Sequence, residues 1–181
     1  LVSLAGFSMV EGAILYSSFA FLKHYQANGK NKLLNVVRGI DFSLRDENLH
    51  AVAGAWSFQY LKQKRNLTKY EETKLELAVK AAAQTILEHE EQIIKEMFSK
   101  GPIDGITEHQ LVCFVKSRLN ECLSNLGYSK MFEVKYNPIA EWFYKAINSY
   151  TFNDFFSGLG SQYHRDWDEE GFTWKIKDNN E

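Results

Sequence analysis

Three side chains in this 181-residue sequence have the types and spacing of metal ligands. Glu47-Asn48-Leu49-His50 is a Glu-x-x-His run on a segment with helical periodicity. Residues three apart share one helix face, so both side chains can reach one ion. Surface helices produce the same run by chance, and its setting is what makes it informative. Glu47 continues an apolar stripe formed by Leu33, Val37, Ile40 and Leu44, where a lone carboxylate would be costly to bury. Glu11 is a similar anomaly, lying inside an apolar first segment and followed at helical spacing by Leu15 and Phe19. Two core-facing glutamates and one histidine suit oxygen-plus-imidazole ligation of iron or manganese. The plainer alternative is a pair of core carboxylates satisfied by lysine or water.

Long helices are needed to bring such residues together, and the sequence supplies them. Only two prolines occur, Pro102 and Pro138, which permits long uninterrupted helices. The first helix is expected from about Leu1 to Gln26, stopping at Asn28-Gly29. The second runs from about Lys32 to Lys64. The third starts at a capping box, Thr68 with Glu71, and ends before Gly101-Pro102. Its stripe reads Leu75, Val79, Ala82, Ile86, Ile93 and Met97. A fourth starts at the capping box Thr107 with Gln110, carries Leu111, Phe114, Leu119, Cys122 and Leu126, and stops at Gly127. Asn137-Pro138 opens a fifth, with Asn as cap and Pro in the first turn. No strand is evident; Phe132 to Lys135 forms at most a short extended piece. His24, His89, His109 and His164 supply no second Glu-x-x-His. His89, in Glu88-His89-Glu90-Glu91, reads as solvated or structural.

Composition narrows the class. The net charge of −2 gives no electrostatic basis for nucleic-acid binding. Cys113 and Cys122, nine apart in a helical pattern, read as reduced thiols of a cytosolic protein. Residues 1–22 are apolar enough to suggest a signal peptide or membrane span. Against that, no basic segment precedes them and Glu11 sits at their middle, so a buried helix is expected and no membrane. The chain begins on Leu1 rather than methionine, as expected of a product that starts inside a reading frame.

The helical pattern ends near Gly158-Leu159-Gly160-Ser161, dividing the chain into a bundle, residues 1–157, and a flexible tail, residues 158–181. The tail interleaves Asp166, Asp168, Glu169 and Glu170 with Tyr163, Trp167, Phe172 and Trp174. Disordered tails are usually poor in aromatics, so a docking peptide is the better reading.

Glu11 followed by Ile14-Leu15-Tyr16-Ser17-Ser18-Phe19-Ala20, and then Arg45-Asp46-Glu47-Asn48-Leu49-His50, resembles the second half of the ribonucleotide reductase small subunit. The likeness continues through Gly105-Ile106, Asn120, Leu126-Gly127-Tyr128, Asn137-Pro138 and Trp142 to a tail with a tyrosine, and so covers essentially the whole chain. The resemblance implies an all-α, ferritin-like helical bundle with extra C-terminal helices and a mobile tail. It implies a di-iron centre, with manganese as the alternative metal. Glu11 resembles the terminal carboxylate of the second iron, Glu47 the bridging carboxylate, and His50 the imidazole ligand of that iron. Asp46 resembles an outer carboxylate on the radical-transfer path. Leu15, Phe19 and Ile40 resemble the apolar wall of the oxygen-activating pocket. Tyr163 resembles the tail tyrosine that relays the radical to the large subunit, on which the last residues dock.

The implied function is that of the radical-generating small subunit of ribonucleoside-diphosphate reductase, a cytoplasmic homodimer (in the host cytoplasm if its source is viral) serving deoxyribonucleotide synthesis. The family builds its two-metal site from one Glu on each of two helices and Glu-x-x-His on each of two others, with an Asp standing in for one Glu. This chain offers half of that set and lacks the radical tyrosine that goes with the other half. The expectation is therefore a fragment, or one half of a split subunit completed by a separate N-terminal chain, and in either case a chain inactive alone. Two rivals stand beside this reading. A different ferritin-like di-iron oxidase or iron-binding protein explains the three ligands but not the tail. A metal-free helical interaction module explains the tail but not the glutamates.

Overall fold

The structure, a computed structural model, describes residues 1–144. The expected tail, with Tyr163, lies outside the described residues. Among those described, the chain is all-α: α1 (Val2–Ala13), α2 (Tyr16–Lys23), α3 (Leu34–Lys64), α4 (Lys69–Met97), α5 (Glu108–Asn125) and α6, which covers 138–144. An isolated bridge between Ile103 and Ile106 is the nearest thing to sheet among them. The extended piece expected at 132–135 is irregular.

The helix ends obey the capping chemistry. Thr68 Oγ1 accepts the Glu71 N–H at 3.3 Å while Glu71 Oε2 accepts the Thr68 N–H at 2.8 Å. Thr107 and Gln110 make the same reciprocal pair at the start of α5. These bonds occupy backbone donors that the first helical turn leaves without partners. At the end of α5, Gly127 adopts φ +83°. Its N–H donates to the Ser124 carbonyl, and the Tyr128 N–H donates to that of Leu123 at 2.9 Å. That is a Schellman closure, which needs the left-handed conformation glycine takes freely.

α1 packs on α3, α4 and α5, and α4 packs on α5, around one core that includes Met9, Phe58, Val79, Phe114, Leu119 and Phe143. Three sequence expectations change. The single first helix is two, because Ile14 is extended and Leu15 is left-handed at φ +68°, ψ −8°. The second long helix starts at Leu34, and Leu33, also left-handed, is exposed rather than part of the stripe. In α4 the buried stripe runs Leu75, Val79, Ala83, Ile86, Leu87, Glu90 and Ile94, so Ala82, Ile93 and Met97 lie at its margin. A strict spacing of 3.6 residues drifts off any fixed guess over a helix of 29 residues.

The segment Val2–Lys23 is long and apolar enough to cross a membrane. Its break would expose backbone polar groups to lipid, and Ala5, Met9, Ala13, Tyr16 and Ala20 are spent in the core. It packs as two helices with one side in the core, while Phe7, Val10 and Leu15 stay exposed, rather than as the single buried helix expected. Lys23, fully buried at its end, pairs with Asp41 of α3 and ties α2 to that helix. Both cysteines are free thiols.

Candidate metal centre

Glu11 sits in the last turn of α1, and Glu47 and His50 lie one turn apart on α3, against which α1 packs. The contact between these helices is close because its residues are small. A Cβ added at Gly12 would stand 2.5 Å from Cys122 Sγ and 3.2 Å from the Ala51 Cβ. Ser8 Oγ donates to the Ala51 carbonyl at 2.7 Å, bonding the two helices one turn from the site. Arg118, buried on α5, reaches across to donate from Nε to the Gly12 carbonyl at 3.0 Å. The backbone beside Glu11 is thus held from two sides.

The result is convergence. One ligand atom from each of Glu11, Glu47 and His50 lies within 4.8 Å of the other two. His50 Nδ1 is 3.3 Å from Glu11 Oε2 and 3.8 Å from Glu47 Oε2. A hydrogen bond with Glu11, then burial, raises the Glu47 carboxyl above its ordinary pKa, and His50 acts the other way. Two carboxylates brought this close share a proton or a cation. A divalent ion would relieve the same repulsion, and the donor set of oxygen and imidazole suits iron or manganese. The site is open on one side, with side-chain exposures of 21% for Glu11, 29% for Glu47 and 54% for His50. The glutamates are therefore half-buried rather than core residues, and three donors leave room for further ligands.

The remaining sequence candidates divide. Ile40 is buried and Phe19 is partly buried against the core. Leu15, expected in the apolar wall, is 47% exposed, because the left-handed residue at the break turns its side chain off the helix stripe. Asp46 is exposed on α3. His89 is exposed, in keeping with a solvated residue.

Besides the Lys23–Asp41 pair, sequence reasoning passed over two further buried ionic groups. Glu90, fully buried on α4, accepts the Ser17 hydroxyl at 2.5 Å and the Leu15 N–H at 3.4 Å. Its signal was present: it lies four residues before the buried Ile94 and seven after the buried Ala83, on the helix's inner face. Arg118 is the other. Besides Gly12 it bonds Glu121 and the Tyr144 hydroxyl, and its guanidinium lies 4.3 Å from the Tyr16 ring centroid. Burial raises the Tyr16 phenol to about 12.

Comparison with known proteins gives this arrangement a family. A sequence model described as "Ribonucleotide reductase, small chain" matches residues 1–138. A probable ribonucleoside-diphosphate reductase small subunit of Invertebrate iridescent virus 3 is 27% identical over 163 residues, covering 90% of this chain and 42% of that protein. The crystal structure of a putative class I ribonucleotide reductase from Bacillus halodurans superposes with a TM-score of 0.67 at 25% identity, covering 76% of this chain and 43% of that one. The bundle is thus of the ferritin-like kind that the sequence suggested, and the chain spans about two fifths of the length of these relatives. With the family pattern matched over three quarters of its length, the chain belongs to the ribonucleotide reductase small-chain family.

Proposed function

We propose that this chain supplies one half of the metal site of a ribonucleoside-diphosphate reductase small subunit, and the tail that engages the large subunit. The observation that carries the proposal is the convergence of Glu11, Glu47 and His50 from two helices on one point. Iron, or manganese in its place, supplies oxygen activation when bound, the chemistry by which such subunits generate a tyrosyl radical. The chain's own residues hold and orient. Glu11 and His50 would serve as terminal ligands, and Glu47, with a carboxyl already crowded by Glu11, would be the carboxylate shared between ions. The complementary Asp and Glu-x-x-His come from helices outside this sequence, on the same polypeptide or a second one, and would cover the open side of the site. Asp46, exposed beside Glu47, and Tyr163 are assigned to radical transfer. The subunit works as a homodimer in the cytoplasm.

Titration of the chain with ferrous or manganous ion tests the ligand assignment. Glu11→Gln, Glu47→Gln and His50→Ala should each weaken binding by about tenfold or more, as loss of one donor from a small set does. Equal affinity in all three variants would remove the metal site from this reading. The tail is tested separately, in a reconstituted holoenzyme. Tyr163→Phe keeps the ring and removes the oxidisable hydroxyl, so nucleotide reduction should stop while large-subunit binding persists. Truncation after Ser161 should abolish both, because Trp167, Phe172 and Trp174 are the anchors for docking.

A further inference from the structure

We propose that Glu90 is a positioning residue for the metal centre: it holds open the break between α1 and α2 that ends the Glu11 helix one turn beyond the ligand. The inference rests on the reading of Glu11 as a ligand. In an unbroken helix the Leu15 N–H would donate to the carbonyl of Glu11, four residues back. Here that ladder stops one step earlier, with the Ile14 N–H still donating to Val10 at 3.0 Å. Leu15 turns left-handed, and its N–H goes to Glu90 Oε1 at 3.4 Å. Glu90 Oε2 takes the hydroxyl of Ser17, in the first turn of α2, at 2.5 Å. One carboxylate from α4 therefore bonds both the residue at the break and the helix beyond it.

Two further facts separate this from ordinary packing. Glu90 is fully buried, in a stripe otherwise made of Leu75, Val79, Ala83, Ile86, Leu87 and Ile94. A leucine there would satisfy the hydrophobic pattern, and a buried carboxylate is retained at a cost unless its bonds are needed. The backbone it supports is also strained. Leucine rarely adopts φ +68°, and such conformations persist where surrounding contacts impose them. Releasing Glu90 would let α1 continue as helix through Leu15, rotating α2 and drawing the Glu11 carbonyl back into the ladder. The Glu11 side chain would lose its fixed approach to Glu47 and His50.

The test compares the full-length chain with Glu90→Leu, Ser17→Ala and the conservative Glu90→Gln, which keeps one acceptor oxygen. Two readouts are needed: the backbone state of Leu15, from its Cα and Cβ chemical shifts by NMR, and the affinity for manganous ion. The expected result is loss of the left-handed Leu15 signature in Glu90→Leu, together with affinity weakened about tenfold, the lower end for an outer partner of a ligand. Ser17→Ala should fall between, and Glu90→Gln should restore most of both. Thermal stability guards against a trivial cause, since Glu90→Leu should melt no lower than Glu90→Gln. The proposal is overturned if Leu15 stays left-handed in Glu90→Leu, or if the signature is lost and affinity does not change. If wild type and Glu11→Gln bind manganese equally, the ligand reading has failed instead, and the Leu15 shifts alone decide whether Glu90 holds the break.

Discussion

Glu47 and Gly12 show how much the site depends on crowding at single residues. The Glu47 carboxyl is raised by its bond to Glu11 and by burial. A carboxyl raised in the folded chain favours folding while it is protonated, and that contribution is lost as pH rises through the folded value. The metal-free chain should therefore lose stability from about pH 4.5 upward on this account. Glu47→Gln should be at least as stable as wild type at pH 7, the difference closing near pH 4; urea melts across that range check it. Metal should reverse the order at neutral pH, since the chain with glutamate binds it more tightly. Gly12 carries a steric argument. With a Cβ there 2.5 Å from Cys122 Sγ, Gly12→Ala must displace that side chain or push α5 away from α1. Overpacking of this kind costs about 1–3 kcal/mol, read as a drop in the unfolding midpoint, and metal affinity should fall with it because Glu11 is the adjacent residue. Unchanged stability would mean that Cys122 can turn aside without cost.

At the scale of elements, the decisive feature is the pair α1 and α2 rather than any one long helix. A left-handed leucine costs roughly 1–2 kcal/mol relative to the right-handed conformation. Its half-exposed side chain recovers little of that by burial. Leu15→Gly removes the strain and should leave stability within about 1 kcal/mol of wild type. Leu15→Val, β-branched and intolerant of positive φ, should lose at least that much. Calorimetry of the two variants decides the matter: a glycine variant less stable than the valine variant would show that the leucine side chain, not the backbone, matters at this position. The capping boxes are simpler. Thr107→Ala removes the oxygen that accepts the Gln110 N–H and should cost about 1 kcal/mol.

At the scale of the molecule, what the described fold leaves exposed governs behaviour. The Glu11–Glu47–His50 cluster opens to one side, and among the described residues α3 carries a second exposed feature, an apolar stripe of Leu49, Val52, Trp56 and Tyr60 opposite the core residues Ala51, Ala55 and Phe58. Trp56 and Tyr60 stack on one another, with centroids 5.4 Å apart. Such a face should bind a hydrophobic dye in the free chain. Leu49→Ser with Trp56→Ser should cut that signal without lowering the melting temperature, because both side chains point away from the core. Given ferrous iron and oxygen, the chain by itself should show no stable tyrosyl radical by electron paramagnetic resonance. A persistent signal would mean that the ligands assigned to other helices are not needed.

The sequence alone determined what depends on local chemistry. The capping boxes at Thr68 and Thr107, the glycine stop at Gly127, and the span of α4 and α5 arise from bonds made within a few residues, so they were legible. The clustering of Glu11, Glu47 and His50 was legible too, because Glu-x-x-His sets its own geometry and Glu11 is conspicuous in an apolar run. Tertiary structure alone decided the break at Leu15, the phase of the α4 stripe and the degree of exposure of Glu11, Glu47 and His50. Leu15 has no helix-breaking residue beside it. It is left-handed where a carboxylate 75 positions later takes its N–H, and no local propensity encodes a partner that distant. Glu90 falls at the helical spacing of the α4 stripe, but only the fold, by setting it against Ser17 and the Leu15 N–H, gives its buried carboxylate partners. The same holds for Arg118, whose partners Gly12 and Tyr144 lie 106 and 26 residues away: which charges are buried is set by what the fold places around them.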